Sequence, residues 1–425
     1  MELIQIINLI LGIVFTLCYA YQSLYLAVPW LKQCPKPKNP CRISGNRYAI
    51  LIAARNEEPV ISELINSLCR QTYPKEKITV FVVADNCTDS TAEKARRAGA
   101  VVYERFHRTQ IGKGYALKYL LDRIRNDCPS DPFDGYFVCD ADNIVEETYI
   151  EEMDKTFQEG SSILTSYRNS KNYGDNWISA GHSLWFLRES KYLNQARMQL
   201  HVNCLVSGTG FLFSREVMWK NDGWNCFFLT EDTEFTIQNM LAGERIGYCP
   251  TAVFYDEQPS VLRQSFRQRM RWAKGWLQVI RRYGSQMAVG CVKGNFSCYD
   301  HLMSVLPAAV LTLTGAAVNL IGLLLLLLTG QSPLPILEFL GTIIAGAYLP
   351  LWFLGTLTTI SEWKKICAPP WKKILYTFTF PLYMFTYIPI AVASLFCKVD
   401  WKPIKHTKSL NAEQIRGQLE KKITK

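Results

Sequence analysis

None of the fourteen cysteines pairs with another as Cys-x-x-Cys, which removes the common zinc and dithiol motifs. Several lie inside apolar segments, where cysteine behaves as a small hydrophobe, so the set reads as reduced and structural. A reducing compartment, the cytosol, fits the polar part of the chain. No zinc-finger, RRM or basic-zipper pattern is present, so the net charge of +10 does not point to nucleic acid. An anionic membrane face or a phosphorylated substrate remains. Charge itself is scarce, with 20% of the 425 residues charged against 48% hydrophobic, which excludes disorder and leaves room for more than one domain.

Long apolar runs are what the chain has in place of charge. Leu3 to Val28 carries no charge and is long enough to cross a bilayer of roughly 30 Å. It lacks a basic start and a clear cleavage site, so it reads as a retained anchor, not a signal peptide. Lys32, Lys36, Lys38, Arg42 and Arg47 follow it; the positive-inside rule then puts the N-terminus outside and the next segment in the cytosol. Pro35, Pro37 and Pro40 make an extended linker. Two further apolar runs, about 303–329 and 335–360, read as a hairpin turned at Gly330-Gln331-Ser332-Pro333, with Lys364, Lys365, Lys372 and Lys373 returning it to the cytosol. A last run, Ile374 to Cys397, is interrupted by Pro381 and Pro389. A single crossing would put the Lys-rich tail outside, so this run is either broken and re-entrant or an exception to the rule. Trp401–Thr407 reads as a juxtamembrane anchor, with a gating or substrate-proximal segment as the alternative, and Asn411–Lys425 as a charged helix. The expected division is 1–30 membrane helix, 31–47 linker, 48–257 α/β domain, 258–300 interfacial helices, 301–398 membrane region and 399–425 basic cytosolic tail.

Within 48–257, short apolar strands alternate with helical patterns. Tyr48–Ala54, Ile78–Ala84 and a strand near Val101-Val102-Tyr103 are each followed by a polar loop and a helix; Tyr136-Phe137-Val138-Cys139 ends in Asp140-Ala141-Asp142-Asn143. This predicts an α/β fold with a mainly parallel sheet. Ligands in such sheets bind beyond the carboxyl ends of the strands, where the clusters at Asn56, Asp85 and Asp140 all fall. Asp140 and Asp142, one residue apart, suit a hard divalent cation such as Mg²⁺ or Mn²⁺, with phosphate and water completing its shell; the alternative is a solvated turn.

Three later pieces carry chemistry. Ser207-Gly208-Thr209-Gly210 brings backbone close to whatever lies beside it. Thr230-Glu231-Asp232 opens a helix, with Asp232 either a cap or a reacting base. In Gln268-Arg269-Met270-Arg271-Trp272, helical spacing puts Gln268, Arg271 and Trp272 on one face. An amide, a guanidinium fork and an indole suit a pyrophosphate and a sugar. With Arg263, Arg267, Arg269, Lys274, Arg281 and Arg282 nearby, an amphipathic helix lying on anionic lipid is the other reading, and different faces accommodate both.

Together these motifs resemble family 2 glycosyltransferases, in particular the membrane-embedded synthases related to bacterial cellulose, hyaluronan and poly-N-acetylglucosamine synthases. Gln268 to Trp272 fits their QxxRW, Asp140-Ala141-Asp142 their DxD and Thr230-Glu231-Asp232 their TED, in the family's order. The resemblance implies a GT-A fold, a UDP-sugar donor and Mg²⁺ or Mn²⁺. It implies that Ala54, Glu57 and Asp85 hold the uridine, Asp85 by accepting from the uracil, and that Lys113 lies near the diphosphate or uracil. Asp140 and Asp142 then bind donor and metal. Gln268, Arg271 and Trp272 line the diphosphate and the acceptor's terminal sugar, Gly208, Thr209, Gly210 and Glu231 lie on the acceptor side, and Asp232 is the general base of an inverting displacement. The chain departs from the cellulose-type enzymes in having fewer membrane segments and nothing like a PilZ domain, which puts a translocation channel built by one copy, without a homo-oligomer or export partner, in doubt.

The first functional expectation is a plasma-membrane synthase that extends a β-linked polysaccharide from a UDP-sugar at the cytosolic face and passes it outward. The second is transfer of a single sugar to a lipid or lipid-linked acceptor. A silent membrane scaffold is the third, against which the intact Asp140, Asp142, Asp232 and Arg271 argue. Membrane lipids and the growing glycan or lipid acceptor are the expected partners, with no nucleic acid.

Overall fold

In a computed structural model of the chain, residues 2–32, 44–130, 132–220, 222–328, 333–399, 406, 408, 410, 413–415 and 417 are described. The linker prolines, the turn at Gly330-Gln331-Ser332, most of Trp401–Thr407 and most of the tail expected as a helix lie outside them.

Apolar strands bury themselves on both faces of one sheet, as parallel strands must when helices cover them. The strands are β1 (Tyr48–Ala54), β2 (Ile78–Asp85), β3 (Val101–Arg105), β4 (Gly135–Asp140), β5 (Ile144–Val145), β6 (Ile163–Ser170), β7 (Phe211–Ser214) and β8 (Ile246–Asp256). Among the described residues they form one eight-stranded sheet in the order β3-β2-β1-β4-β7-β6-β8-β5. Strands β1 to β4 pair parallel, and β7 enters antiparallel beside β4. The predicted α/β class with a mainly parallel sheet is therefore met, with antiparallel pairs around β7 and at β5.

Alternation along each strand feeds two cores. Leu51, Val83 and Val138 face the helix Lys113–Asp127 through Leu117 and Leu120. Ile50, Ile52, Val82 and Phe137 face the other way, onto Leu64 of Ile61–Cys69 and Met153 of Tyr149–Phe157. Strand order reverses at β1, which lies between β2 and β4. Such a switch opens a crevice at the carboxyl ends, where Ala54, Asp85 and Asp140 end their strands.

Among the described residues, four helical stretches, Glu2–Tyr19, Val310–Leu328, Leu334–Ser361 and Pro370–Phe396, are long and apolar enough to cross a membrane. The N-terminal run predicted as continuous from Leu3 to Val28 divides near Ala20 into Glu2–Tyr19 and Tyr21–Leu31. The second piece is drawn onto the sheet domain by a buried ion pair. Arg197 Nε lies 2.7 Å from Asp300 Oδ2, both side chains fully buried, and Asp300 also accepts from Tyr21 at 2.7 Å and Tyr25 at 3.1 Å. Two tyrosine hydroxyls around one carboxylate–guanidinium contact offset its desolvation, and the four residues join three separate parts of the chain.

The segment with Pro381 breaks at Thr386, between helices Pro370–Phe385 and Tyr387–Phe396. Both of its ends touch the sheet domain's side of the molecule. Lys372 Nζ donates to the carbonyl of Gly174, and Lys274 Nζ, on the long helix Leu262–Val292, donates to the carbonyl of Ser394 at 2.9 Å. Between them Tyr383 presses on helix Trp177–Arg188 at Gly181, where an added Cβ would meet its ring at 2.3 Å.

Candidate active site

A single cavity at the carboxyl edge of the sheet is lined by Ala54, Glu57, Asp85, Lys113, Asp140, Asp142, Gly208, Glu231, Asp232, Gln268, Arg271 and Trp272. All twelve were singled out from sequence. Thr209 and Gly210 were singled out with them and do not line it. The Thr209 hydroxyl turns inward, accepting from the backbone N–H of Asp140 at 2.8 Å and donating to Asn143 Oδ1. Gly210 is packed so closely that a Cβ would meet the Phe254 ring at 2.3 Å, on a backbone with φ +64. These two residues seat the loop against β4 and leave only Gly208 facing the cavity.

Strand alternation does not carry Asp140 and Asp142 to the same side, because the strand ends at Asp140 and the chain turns, Asn143 N–H donating back to the Asp140 carbonyl at 3.0 Å. The turn still brings both carboxylates to the cavity. Asp140 pairs through Oδ1 with Lys113, whose ammonium also donates to the Gly208 carbonyl at 2.7 Å. Asp142 Oδ2 accepts from the backbone of Glu257 at 2.8 Å. Burial alone would raise its carboxyl, but His406, Lys171 and that N–H hold it below the usual carboxylate range. The opposite balance holds Lys113 protonated: burial would lower it, and Asp140 and Glu231 raise it.

The uridine side departs from expectation in detail. Asp85 is buried, and its Oδ1 is occupied by Arg105, whose fork also reaches the Gln110 carbonyl at 2.8 Å. Glu57 faces His406 Nδ1 with both oxygens, at 2.9 and 3.1 Å. His406 lines the cavity. Burial lowers its pKa, but Asp142 and Glu57 outweigh this and push it up to about 10. Thus part of the stretch read primarily as a juxtamembrane anchor lies at the site, the substrate-proximal alternative.

Asp232 follows Thr230, the N-cap of Glu231–Leu241, in the first turn of that helix. It is not the cap, and it lines the cavity beside Gly208, whose added Cβ would lie 3.4 Å from Asp232 Oδ2. Burial raises the Asp232 carboxyl. Burial and the Asp232 charge together push Glu231 to about 7. Opposite them, on Leu262–Val292, Arg271 Nε and Gln268 Oε1 are buried without a hydrogen-bond partner among the described residues. Buried polar atoms are seldom left so, and a bound anion with hydroxyls would complete them.

Sequence reading passed over other lining residues: Arg168, Trp185, Phe186, Glu189, Asp256 and Trp276. Arg168 and Asp256 lie near the carboxyl ends of β6 and β8 and pair at 2.7 Å through Nε, so the strand-end rule that picked Asp85 would have found them. Trp276 lies one turn beyond Trp272 on the same helix face. Glu189 carried no signal.

The residues fit a divalent ion. Two ionised carboxylates are what Mg²⁺ or Mn²⁺ takes when a diphosphate supplies the remaining oxygens, and no cluster of three or more His, Cys, Asp or Glu among the described residues offers an all-protein cage.

A family model described as glycosyltransferase like family 2 matches residues 46–275. The chain belongs to that family. It carries a domain of that family together with candidate membrane spans, and it spans about half the length of most of the curated relatives it matches. It is 24% identical over 256 residues to a probable glycosyltransferase, YdaM, of Bacillus subtilis strain 168, covering 56% of this chain and 57% of that one. It is 25% identical over 367 residues to the β-monoglucosyldiacylglycerol synthase of Nostoc sp. strain PCC 7120, covering 84% of this chain and 74% of that protein. It is also 25% identical over 243 residues to the poly-β-1,6-N-acetyl-D-glucosamine synthase of Staphylococcus aureus strain COL, covering 55% of each. Against solved structures, a mannosyltransferase from Pyrobaculum calidifontis, in complex with GDP-Man and Mn²⁺, aligns with TM-score 0.59 at 17% identity, over 91% of this chain and 98% of that one. That likeness is one of fold, and the GT-A expectation is met.

Thr209→Val keeps the shape and removes the hydroxyl that seats the loop, leaving the Asp140 N–H and Asn143 without it. Thermal unfolding of the detergent-solubilised protein is expected to show a loss of about 1–3 kcal/mol, with no direct loss of any cavity-lining group.

Proposed function

We propose that this chain is an inverting glycosyltransferase that moves one sugar from a UDP-sugar to a hydroxyl of a membrane-borne lipid. The observation that carries the reading is the opposition, across one cavity, of a half-buried carboxylate pair and a cationic, partly unsatisfied helix face: Glu231 and Asp232 against Gln268 and Arg271. Lys113 and Arg271 supply positive charge for the diphosphate; Asp85 takes the base end. Asp140 and Asp142 would hold Mg²⁺ or Mn²⁺ against the diphosphate oxygens. The ion's chemistry there is to neutralise the leaving group. Asp232, near Gly208, is the residue to take the proton from the acceptor hydroxyl as it attacks the anomeric carbon. Trp272 offers a flat wall to a pyranose.

The lipid acceptor, the second of the three functional expectations, is preferred because the aromatic end of the cavity runs toward the candidate span Pro370–Phe396, Trp185 lying 6.3 Å by ring centroid from Tyr387. The similarity to a glycolipid synthase over 84% of this chain supports the same reading. Polysaccharide extension is the second reading, supported by the Staphylococcus relative. Purified protein with UDP-sugars and total membrane lipid is expected to give a single glycolipid by mass spectrometry; a ladder of sugars favours the second reading, and no product with any donor sinks both.

Asp232→Asn is expected to lower transfer by roughly 10²–10⁴-fold while UDP binding, measured by calorimetry, stays as in the wild type. Full activity in that variant removes Asp232 from the base role. The base must be ionised to act. Because burial raises Asp232 and Glu231 sits at about 7, the pair binds protons as pH falls through neutrality, and kcat is expected to fall on that acid side. Removing one negative charge of the pair makes the other carboxyl more acidic. A kcat profile of Glu231→Gln is therefore expected to have its acid limb at lower pH.

For topology, the reading is three crossings, with the catalytic domain cytosolic and Pro370–Phe396 re-entrant. It rests on the contacts of Lys372 and Ser394 and on His406 reaching Glu57. A C-terminal alkaline phosphatase fusion is expected to be inactive and a C-terminal fluorescent protein bright; the reverse pattern makes the last segment a true span.

A further inference from the structure

One buried carboxylate in the cavity has no part in the chemistry above. Helix Trp177–Arg188 passes at Glu189 into a π-helical turn, Glu189–Asn194. Such turns shift the side chains that follow and are frequent at functional sites. Trp185 and Glu189, four residues apart, face the same way, and both line the cavity with Phe186. Glu189 is 8% exposed. Its Oε1 accepts from the Ser207 hydroxyl, while its Oε2 takes no hydrogen bond from any described residue. Ser207 is followed by Gly208, the residue beside Asp232, so one short loop touches Glu189 on one residue and the base on the next. Around this end stand Trp272, in edge contact with Phe186 at 5.9 Å, and Arg168, stacked 3.5 Å over the Phe186 ring.

Resting on the transferase reading, we propose that Glu189 and Trp185 form the acceptor subsite, the free carboxylate oxygen of Glu189 accepting from a hydroxyl of a polyol head group whose apolar face lies on Trp185. A carboxylate edge beside an indole face matches the two surfaces of a sugar or glycerol unit, hydroxyls at the rim and C–H groups on the face. The nucleotide does not compete for this position, since its diphosphate is served by Lys113 and Arg271 and a carboxylate repels it. Burial pushes the Glu189 carboxyl above its ordinary range, with Ser207 and Arg168 pulling it back; a hydroxyl donor from the acceptor offsets the same burial. The subsite therefore selects acceptors by hydroxyls next to the reacting one.

The test uses full-length protein in lauryldimethylamine oxide, a detergent without hydroxyls, and follows UDP release from the active UDP-sugar with octyl β-D-glucoside as probe. Wild type is expected to release UDP faster as the probe saturates. Glu189→Gln, nearly the same shape, is expected to raise the probe's KM about tenfold or more, the loss of one charged hydrogen bond, with the donor's KM unchanged. Trp185→Ala should raise the same KM. An unchanged probe KM in Glu189→Gln, an equal rise in the donor's KM, or wild type indifferent to octyl glucoside each overturns the proposal. Wild type that releases no UDP with or without probe overturns instead the transferase reading beneath it.

Discussion

Desolvated charge is the constraint on which the site depends. The crevice at the strand ends collects more carboxylates than an apolar interior tolerates, and an isolated buried charge costs several kcal/mol. Most are therefore answered: Asp85 by Arg105, Asp140 by Lys113, Asp256 by Arg168. Glu57 is answered from the far end of the sequence, by His406. The cations reach these positions from different elements, so the charge balance also holds helices, loop and tail in register. Where the balance is incomplete, at Glu231 and Asp232, the carboxyls shift upward, and a carboxylate raised in this way is the stronger base for proton abstraction.

How much could be read beforehand follows from how local each signal is. The parallel sheet was legible in the alternation of apolar strands and helices, and Asp140, Asp142, Asp232, Gln268, Arg271 and Trp272 were legible because each belongs to a short pattern inside one element or turn. Thr209 and Gly210 belong to such a pattern too, yet their roles are inward, and only packing against Asn143 and Phe254 distinguishes a loop residue that faces the cavity from one that seats the loop. Glu189 was invisible because its orientation is set by a π-helical turn, which leaves no mark in the hydrophobic period. His406 was named only as part of a stretch, since nothing local in the sequence marks its contact with Glu57, 349 residues away. The last apolar run could not be settled from hydropathy because a broken helix packed on a domain and a broken helix in lipid share a composition.

The cavity has two ends of different character. Its polar end meets the sheet, where strand termini and the Lys113 helix gather charge. Its aromatic end meets Trp185, Trp272 and Trp276, and beyond them a helix of the membrane region. An indole-rich wall there is suited to the boundary between water and lipid, where amphipathic rings settle.

The tie between Arg197 and Asp300, with Tyr21 and Tyr25 on the same carboxylate, clamps helix Tyr21–Leu31 and the start of the long helix Phe296–Leu328 to the sheet domain at one point. With that clamp shut, the catalytic cavity stands at a fixed distance from those two helices. Where the acceptor is lipid-borne, as proposed above, such a fixed geometry acts as a ruler: it selects by how far a hydroxyl projects as well as by what surrounds it.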